Sequence, residues 1–157
     1  MTNYVMGIDG GGTHVRVAIC TPELKIIAES DGTSVNPNNV GKAAAARELR
    51  RVIRDALARA NITPNAIAAV GAGIAGTHAL QAWLEETLRG FLPKAAIVTA
   101  LDLEIALVGA FGEKNGVIIV SGTGSAAYGV NTARETALVG GWGYLLGDEG
   151  SGYWIGL

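Results

Sequence analysis

Residues 7–20 read GIDGGGTHVRVAIC, with Gly10, Gly11 and Gly12 in a row. On one side Tyr4–Ile8 is a short apolar run. On the other, Val15, Val17 and Ile19 alternate with Arg16, Ala18 and Cys20, the period-two pattern of a strand. The glycines therefore join two strands, and this narrows what they can hold. A dinucleotide-binding turn needs G-x-G-x-x-G opening a helix, which the alternation excludes. A Walker A loop needs lysine where Thr13 stands, although Gly7 and Gly12 have the required interval. What remains is a β-hairpin whose amides approach a phosphate closely, since no Cβ intervenes and positive φ is open to glycine. Gly10, Gly11, Gly12 and the Thr13 hydroxyl are the candidate phosphate ligands, and Asp9 is placed to hold Mg²⁺ directly or through water. Taken alone, the stretch has a plainer alternative as a structural glycine hairpin.

The pattern returns more than a hundred residues later. Val117–Val120 is a strand, SGTGS a glycine-rich turn and AAYGV a second strand. Gly122, Thr123 and Gly124 form a second amide cradle, to which Ser121, Thr123 and Ser125 add hydroxyl donors. Two such hairpins suggest a two-sided clamp on phosphate. Between them strands and helices alternate. Lys25–Glu29 reads as a strand, followed by the polar loop SDGTSVNPNN with the turn formers Gly32, Asn36 and Pro37. Leu49, Val52, Ile53, Ala56, Leu57 and Ala60 follow helical spacing, so Gly41–Ala60 is predicted as an amphipathic helix that Thr63–Pro64 terminates. Ala66–Gly71 is a strand, Thr77–Arg89 a helix, Ala95–Thr99 a strand, and Asp102–Phe111 a helix with Asp102 near its N-cap. The class is α/β.

Composition removes several partners. The 157 residues suit one domain with a real core. Formal net charge is −2 with no run of Lys or Arg, which argues against nucleic acid and anionic membrane surfaces. Residues 66–84 carry no charged side chain, but Gly71, Gly73, Gly76, His78 and Gln81 make them too polar for a membrane span, and MTNYVMGIDGG lacks the features of a signal peptide. A lone cysteine, Cys20, excludes an intrachain disulfide and fits a reducing cytoplasm. Arg47, Arg50, Arg51 and Arg54 share a helix with Glu48 and Asp55 and read as a solvated face. His14 and His78 have no ligand spacing; His14 reads as a surface strand residue.

GIDGGGTHV and VIIVSGTGS resemble the two phosphate motifs of the sugar-kinase, heat-shock-protein-70 and actin superfamily, and GGWGYLLGDEGSGYWIG is similar to a segment of N-acetylglucosamine kinases within the BadF/BadG/BcrA/BcrD ATPase family. The resemblance runs through the whole chain. It implies a ribonuclease-H-like (actin-like ATPase) fold, and residues 1–157 as the N-terminal lobe of a two-lobe kinase whose adenosine-binding lobe would follow Leu157. It implies ATP and Mg²⁺ as cofactors and an amino sugar as the small-molecule partner; a homodimer is compatible with it.

Phosphoryl transfer to a sugar hydroxyl needs a carboxylate within reach of the attacking oxygen. Asp102 is the candidate, because it follows a strand and opens a helix at the edge where α/β sheets bind ligands, and because it matches the family's base. Its plainer reading is a helix cap. By resemblance, Gly141, Trp142, Gly143 and Asp148 contact the sugar, with Asn36, Asp102 and Ser125 completing the pocket. Trp142 as core and Asp148 as a cap for a helix starting near Ser151 are the plainer alternatives. Ala126 departs from relatives that carry a polar residue after SGTGS, which weakens the amino-sugar preference. An activator ATPase of the same family would need cluster-ligating cysteines, a ribonuclease-H-like nuclease would need a basic surface, and a sugar-sensing regulator would need a DNA-binding segment.

Overall fold

The alternation in the first strands is resolved by burial. In a computed structural model that describes residues 3–75 and 79–157, Met6, Ile8, Val15, Val17 and Ile19 point to one face and are almost wholly buried. Strands β1 (Tyr4–Gly10), β2 (His14–Cys20) and β3 (Ile26–Thr33) form an antiparallel meander. β4 (Ile67–Ile74) and β5 (Ala96–Leu101) extend it in parallel on the other side of β1, giving the order β3-β2-β1-β4-β5.

Helix α1 (Pro37–Val40) is a single turn, and α2 (Lys42–Ala60) packs on β2 and β3. Five of the residues the helical spacing picks out, Leu49, Val52, Ile53, Ala56 and Leu57, are buried, together with Ala45, while Ala60 is only partly covered; truncating Leu49 to alanine removes about 2–5 kcal/mol. The helix ends at Asn61, whose left-handed φ of 53° lets its N–H reach Ala58 O and Leu57 O. Gly32 in β3 lies beneath α2: a Cβ there would stand 2.5 Å from Val52 Cγ2. The arginine face behaves as a surface network, in which Arg51 bridges Glu48 and Asp55 and Arg50 lies 4.3 Å from the centre of the Phe91 ring. Helix α3 (Ala79–Arg89) contributes Leu84 and Leu88 to the core. The predicted start of this helix at Thr77, and His78, fall outside the described residues. Burial pushes the Cys20 thiol pKa up, which disfavours a reactive thiolate.

The length suggests one domain, but the chain divides into two compact units, residues 1–102 and 103–157. The second holds α4 (Asp102–Phe111) beyond its first residue, the antiparallel strands β6 (Gly116–Ser121), β7 (Ser125–Val130) and β8 (Thr136–Gly140), and the short helix α5 (Gly152–Ile155). Its strand, glycine turn and strand reproduce the start of the first unit, as the repeated pattern predicts. No helix among the described residues is long and apolar enough to cross a membrane.

Candidate functional site

In the first unit three parallel strands end level with one another. Gly10 of β1 is in register with Ile74 of β4, and Ile74 with Leu101 of β5. The glycine turn and Asp102 therefore share the carboxyl edge of the sheet, two strands apart, or about 10 Å. This is the edge at which α/β sheets bind ligands. Asp102 is half-buried and is the first residue of α4, directly after the strand.

The turn itself is closed by Gly11 N donating to His14 O at 2.8 Å. The next two amides, Gly12 and Thr13, have no hydrogen-bond partner among the described residues. Adjacent free N–H groups of this kind form an anion-binding concavity. The glycines serve it differently from the expectation. None of Gly10, Gly11 and Gly12 has positive φ; Gly10 is needed for space, since a Cβ would stand 3.0 Å from Val35 Cγ2 and 3.2 Å from Ile74 Cγ1. Thr13 Oγ1 lies 2.9 Å from His14 Nδ1, with both residues exposed. Asp9 is exposed on the opposite face from Ile8 and Gly10, across from Arg16, which pairs with Asp31 at 3.0 Å. Among the described residues no cluster of three His, Cys, Asp or Glu could hold a metal. Asp9 thus offers one carboxylate beside the turn, which suits Mg²⁺, an ion that takes one or two carboxylates and completes its shell with phosphate oxygens and water.

Asn36 is 7% exposed and caps α1, its Oδ1 accepting from Asn38 N at 2.9 Å. That bond fixes the orientation of the amide and leaves Nδ2 with no partner among the described residues. A second asparagine, Asn39, donates from Nδ2 to Gly12 O at 2.9 Å. It lies inside the polar loop and is not among the residues picked out by motif.

The second unit builds its turn in the same way. Gly122 N folds back to Gly124 O at 2.9 Å, and the amides of Thr123 and Gly124 have no partner among the described residues. The segment from Asp148 to Gly152 is hydrogen-bonded onto this hairpin: Ser121 Oγ donates to Gly150 O at 2.7 Å, Ser125 Oγ to Glu149 O at 2.8 Å, and Gly152 N to Gly122 O at 2.8 Å. The hydroxyl protons of Ser121 and Ser125 are thereby committed. In this arrangement both serine oxygens keep lone pairs that can accept, and the Thr123 hydroxyl has no hydrogen-bond partner among the described residues.

Asp148 is 8% exposed, and its carboxylate has no hydrogen-bond partner among the described residues. It does not cap α5, because Ser151 does so, its Oγ accepting from Trp154 N at 3.1 Å. Its carboxylate oxygens are not sealed from solvent, since Thr21 Oγ1 is the only buried side-chain polar atom without a partner among the described residues, so they are open to accept from a ligand or from water. Trp142 is 72% exposed and so is not a core residue. Gly140, Gly141 and Gly143 around it have φ of 77°, 73° and 82°, which side chains rarely adopt, and Gly141 N donates to Ser125 O at 2.8 Å. Tyr144 packs on Tyr153 of α5 with ring centres 5.1 Å apart. A separate cavity of about 170 Å³ in this unit, lined by Glu104, Leu107, Lys114, Tyr128 and Arg134, includes none of the anticipated site residues.

The sequence pattern of the BadF/BadG/BcrA/BcrD ATPase family matches residues 6–157. An N-acetylmuramic acid/N-acetylglucosamine kinase of Clostridium acetobutylicum is 36% identical over 156 residues, covering 98% of this chain and 51% of the relative. An N-acetyl-D-glucosamine kinase of Dictyostelium discoideum is 32% identical over 165 residues, covering 96% and 51%. The chain thus spans about half the length of the curated relatives it matches. The crystal structure of a candidate N-acetylglucosamine kinase from Chromobacterium violaceum has a TM-score of 0.80 and 30% identity, with 99% of this chain and 54% of that chain covered. An inorganic polyphosphate/ATP-glucomannokinase from Arthrobacter, at 18% identity and TM-score 0.61 over 96% of this chain and 66% of that one, shares the fold. The fold is the expected ribonuclease-H-like, actin-like one.

Proposed function

Because the chain belongs to the BadF/BadG/BcrA/BcrD ATPase family, we propose that it is the N-terminal part of an ATP-dependent kinase that phosphorylates N-acetylglucosamine or a close amino sugar, most simply at the 6-hydroxyl. Residues beyond Leu157 supply the surface for adenine and ribose in this reading. The observation that carries it is Asp148, a largely buried residue whose carboxylate has no hydrogen-bond partner among the described residues and stays open to a donor, held against a glycine turn whose Thr123 and Gly124 amides also have none. Sugar hydroxyls are the donors it lacks. Asn36 Nδ2 is the complementary case in the first unit, a donor on a largely buried residue, oriented by the Oδ1 bond and open to an acceptor. Trp142 offers an exposed ring face of the kind pyranoses stack on.

The amides of Gly12 and Thr13, and those of Thr123 and Gly124, hold phosphate oxygens and neutralise the charge that develops in transfer. Asp102 accepts the proton of the attacking sugar hydroxyl as its oxygen bonds to the γ-phosphorus and the bond to ADP breaks. Asp9 is the residue that would hold Mg²⁺, which when bound offsets phosphate charge. A reducing cytoplasm suits the lone Cys20 thiol.

A second substrate reading has an observation of its own: a glucosamine kinase of Vibrio cholerae is 31% identical over 157 residues, covering 99% of this chain and 52% of the relative, and Ala126 offers no polar group to an N-acetyl arm. The test is ADP release by the full-length protein with Mg·ATP and a panel of N-acetylglucosamine, N-acetylmuramic acid, glucosamine and glucose. The highest kcat/KM is expected for N-acetylglucosamine. A preference for glucosamine moves the assignment to the second reading, and absence of sugar-dependent ADP release overturns both.

A further inference from the structure

The Gly12 carbonyl and the Thr13 N–H belong to one peptide unit, and that unit is planar. Whatever fixes the direction of the carbonyl therefore fixes the opposite direction of the N–H. Asn39 Nδ2 holds Gly12 O at 2.9 Å, and the Thr13 N–H on the other side of the same peptide has no partner among the described residues. Asn39 is itself held. It lies on the single turn of α1, where Asn39 N and Val40 N both donate to Asn36 O, at 3.0 and 3.1 Å, and Gly41 N donates to Pro37 O at 2.9 Å. The same segment meets the hairpin a second time through buried Val35, which fills the space a Cβ on Gly10 would need. Asn36 and the free amide are thus joined by one short rigid path.

The second unit repeats the device with different chemistry. Gly122 O accepts from Gly152 N at 2.8 Å, and the Thr123 N–H of that same peptide has no partner among the described residues. In both turns the segment that carries a candidate sugar ligand holds the carbonyl of the glycine–threonine peptide.

We propose that Asn39 is a positioning residue that aims the Thr13 amide at phosphate. Gly12 has few steric limits, so without this hydrogen bond the peptide can rotate and turn its carbonyl, a negative dipole, toward the anion. The bond also polarises the peptide and makes its N–H a stronger donor. The role rests on the kinase reading for its consequence in turnover, but not for its consequence in nucleotide binding.

The test uses the full-length protein and the variants Asn39→Ala and Asn39→Gln, with three readouts: affinity for Mg·ATP without sugar, affinity for sugar without nucleotide, and kcat. Asn39→Ala is expected to weaken Mg·ATP binding by about 3- to 10-fold, the range of one lost hydrogen bond, and to lower kcat, with sugar affinity within about twofold of the parent. Asn39→Gln, which keeps an amide donor, is expected to recover part of the nucleotide affinity. Unchanged Mg·ATP affinity in Asn39→Ala overturns the proposal. So does an equal loss of sugar and nucleotide affinity with a lowered Tm, which marks a general structural role. If the parent protein phosphorylates no sugar, the functional reading fails, while the nucleotide affinities still decide the role of Asn39.

Discussion

A Cβ placed on Gly124 would stand 3.0 Å from Asp148 Oδ2, so the second glycine turn and this carboxylate occupy touching positions. In the proposed reading the backbone that holds phosphate and the carboxylate that holds sugar are separated by the width of a methyl group. Ser121 and Ser125 maintain this spacing from the other side by donating to Gly150 O and Glu149 O.

Gly124→Ala follows directly. The added methyl has to displace Asp148 by a few tenths of an ångström, and a ligand-binding carboxylate tolerates little misplacement. The sugar KM of the full-length enzyme is expected to rise about 10-fold or more, with Tm within a few degrees of the parent. Steady-state kinetics with sugar varied at saturating Mg·ATP checks it; an unchanged sugar KM contradicts the assignment of Asp148.

Substituting Asp148 and the cap residue Ser151 in turn separates binding from folding. Asp148→Ala is expected to raise the sugar KM far more than the ATP KM, because an unpaired sugar hydroxyl costs about 1–3 kcal/mol. Ser151→Ala removes the cap of α5 and is expected to cost about 1 kcal/mol of stability with little change in sugar KM. Thermal melts and sugar titrations on both variants measure the contrast, and a reversal of the two phenotypes would show that Asp148 is structural.

The acid limb of stability has a named contributor. Hydrogen bonding from Arg51, aided by the Thr33 amide and opposed by burial, takes the Glu48 carboxyl from 4.5 to about 2. The folded state favours the ionised form, so this contribution is complete above pH 4.5 and disappears as pH falls through about 2. Glu48→Gln is expected to lower stability by about 1 kcal/mol near neutral pH, and the gap to the parent should close between about pH 4.5 and 2. Denaturant unfolding across that range tests it; a gap independent of pH assigns the effect to packing instead.

Legibility varied along the chain for physical reasons. α2 was readable because one face is buried and its neighbours are charged, so burial left its period in the sequence. The first glycine hairpin was readable because alternation after the turn excluded a helix, and the second because it repeats the strand, glycine turn and strand order. The bounds of α4 also matched the prediction, Asp102–Phe111. β8 was missed: Thr136–Val139 are all exposed, so no alternation marks them. β3 continues to Thr33, past the predicted end at Glu29, because Gly32, which looks like a turn former, is a glycine for the sake of α2 packing above it. The division at residue 102 left no composition shift or linker to read. Within the site, Asp148 and Trp142 came through resemblance, while Asn39 was hidden in a loop whose asparagines and proline read only as turn chemistry. The one signal available was its spacing of three residues from the capping Asn36, which places both on the same helical turn. The serines of SGTGS read as donors toward a ligand, while in the structure they donate to the carbonyls of Gly150 and Glu149, a distant segment that no local motif points to.

The central claim is phosphoryl transfer with Asp102 as the base, and Asp102→Asn tests it most directly. Asparagine caps helices about as well as aspartate and keeps the shape, so a structural role predicts little change. The measurement is kcat and Tm together, on the full-length protein at saturating Mg·ATP and N-acetylglucosamine. The account predicts a fall in kcat of roughly 10²–10⁴ with Tm and both substrate affinities preserved. A kcat close to that of the parent, with an unchanged Tm, would contradict it.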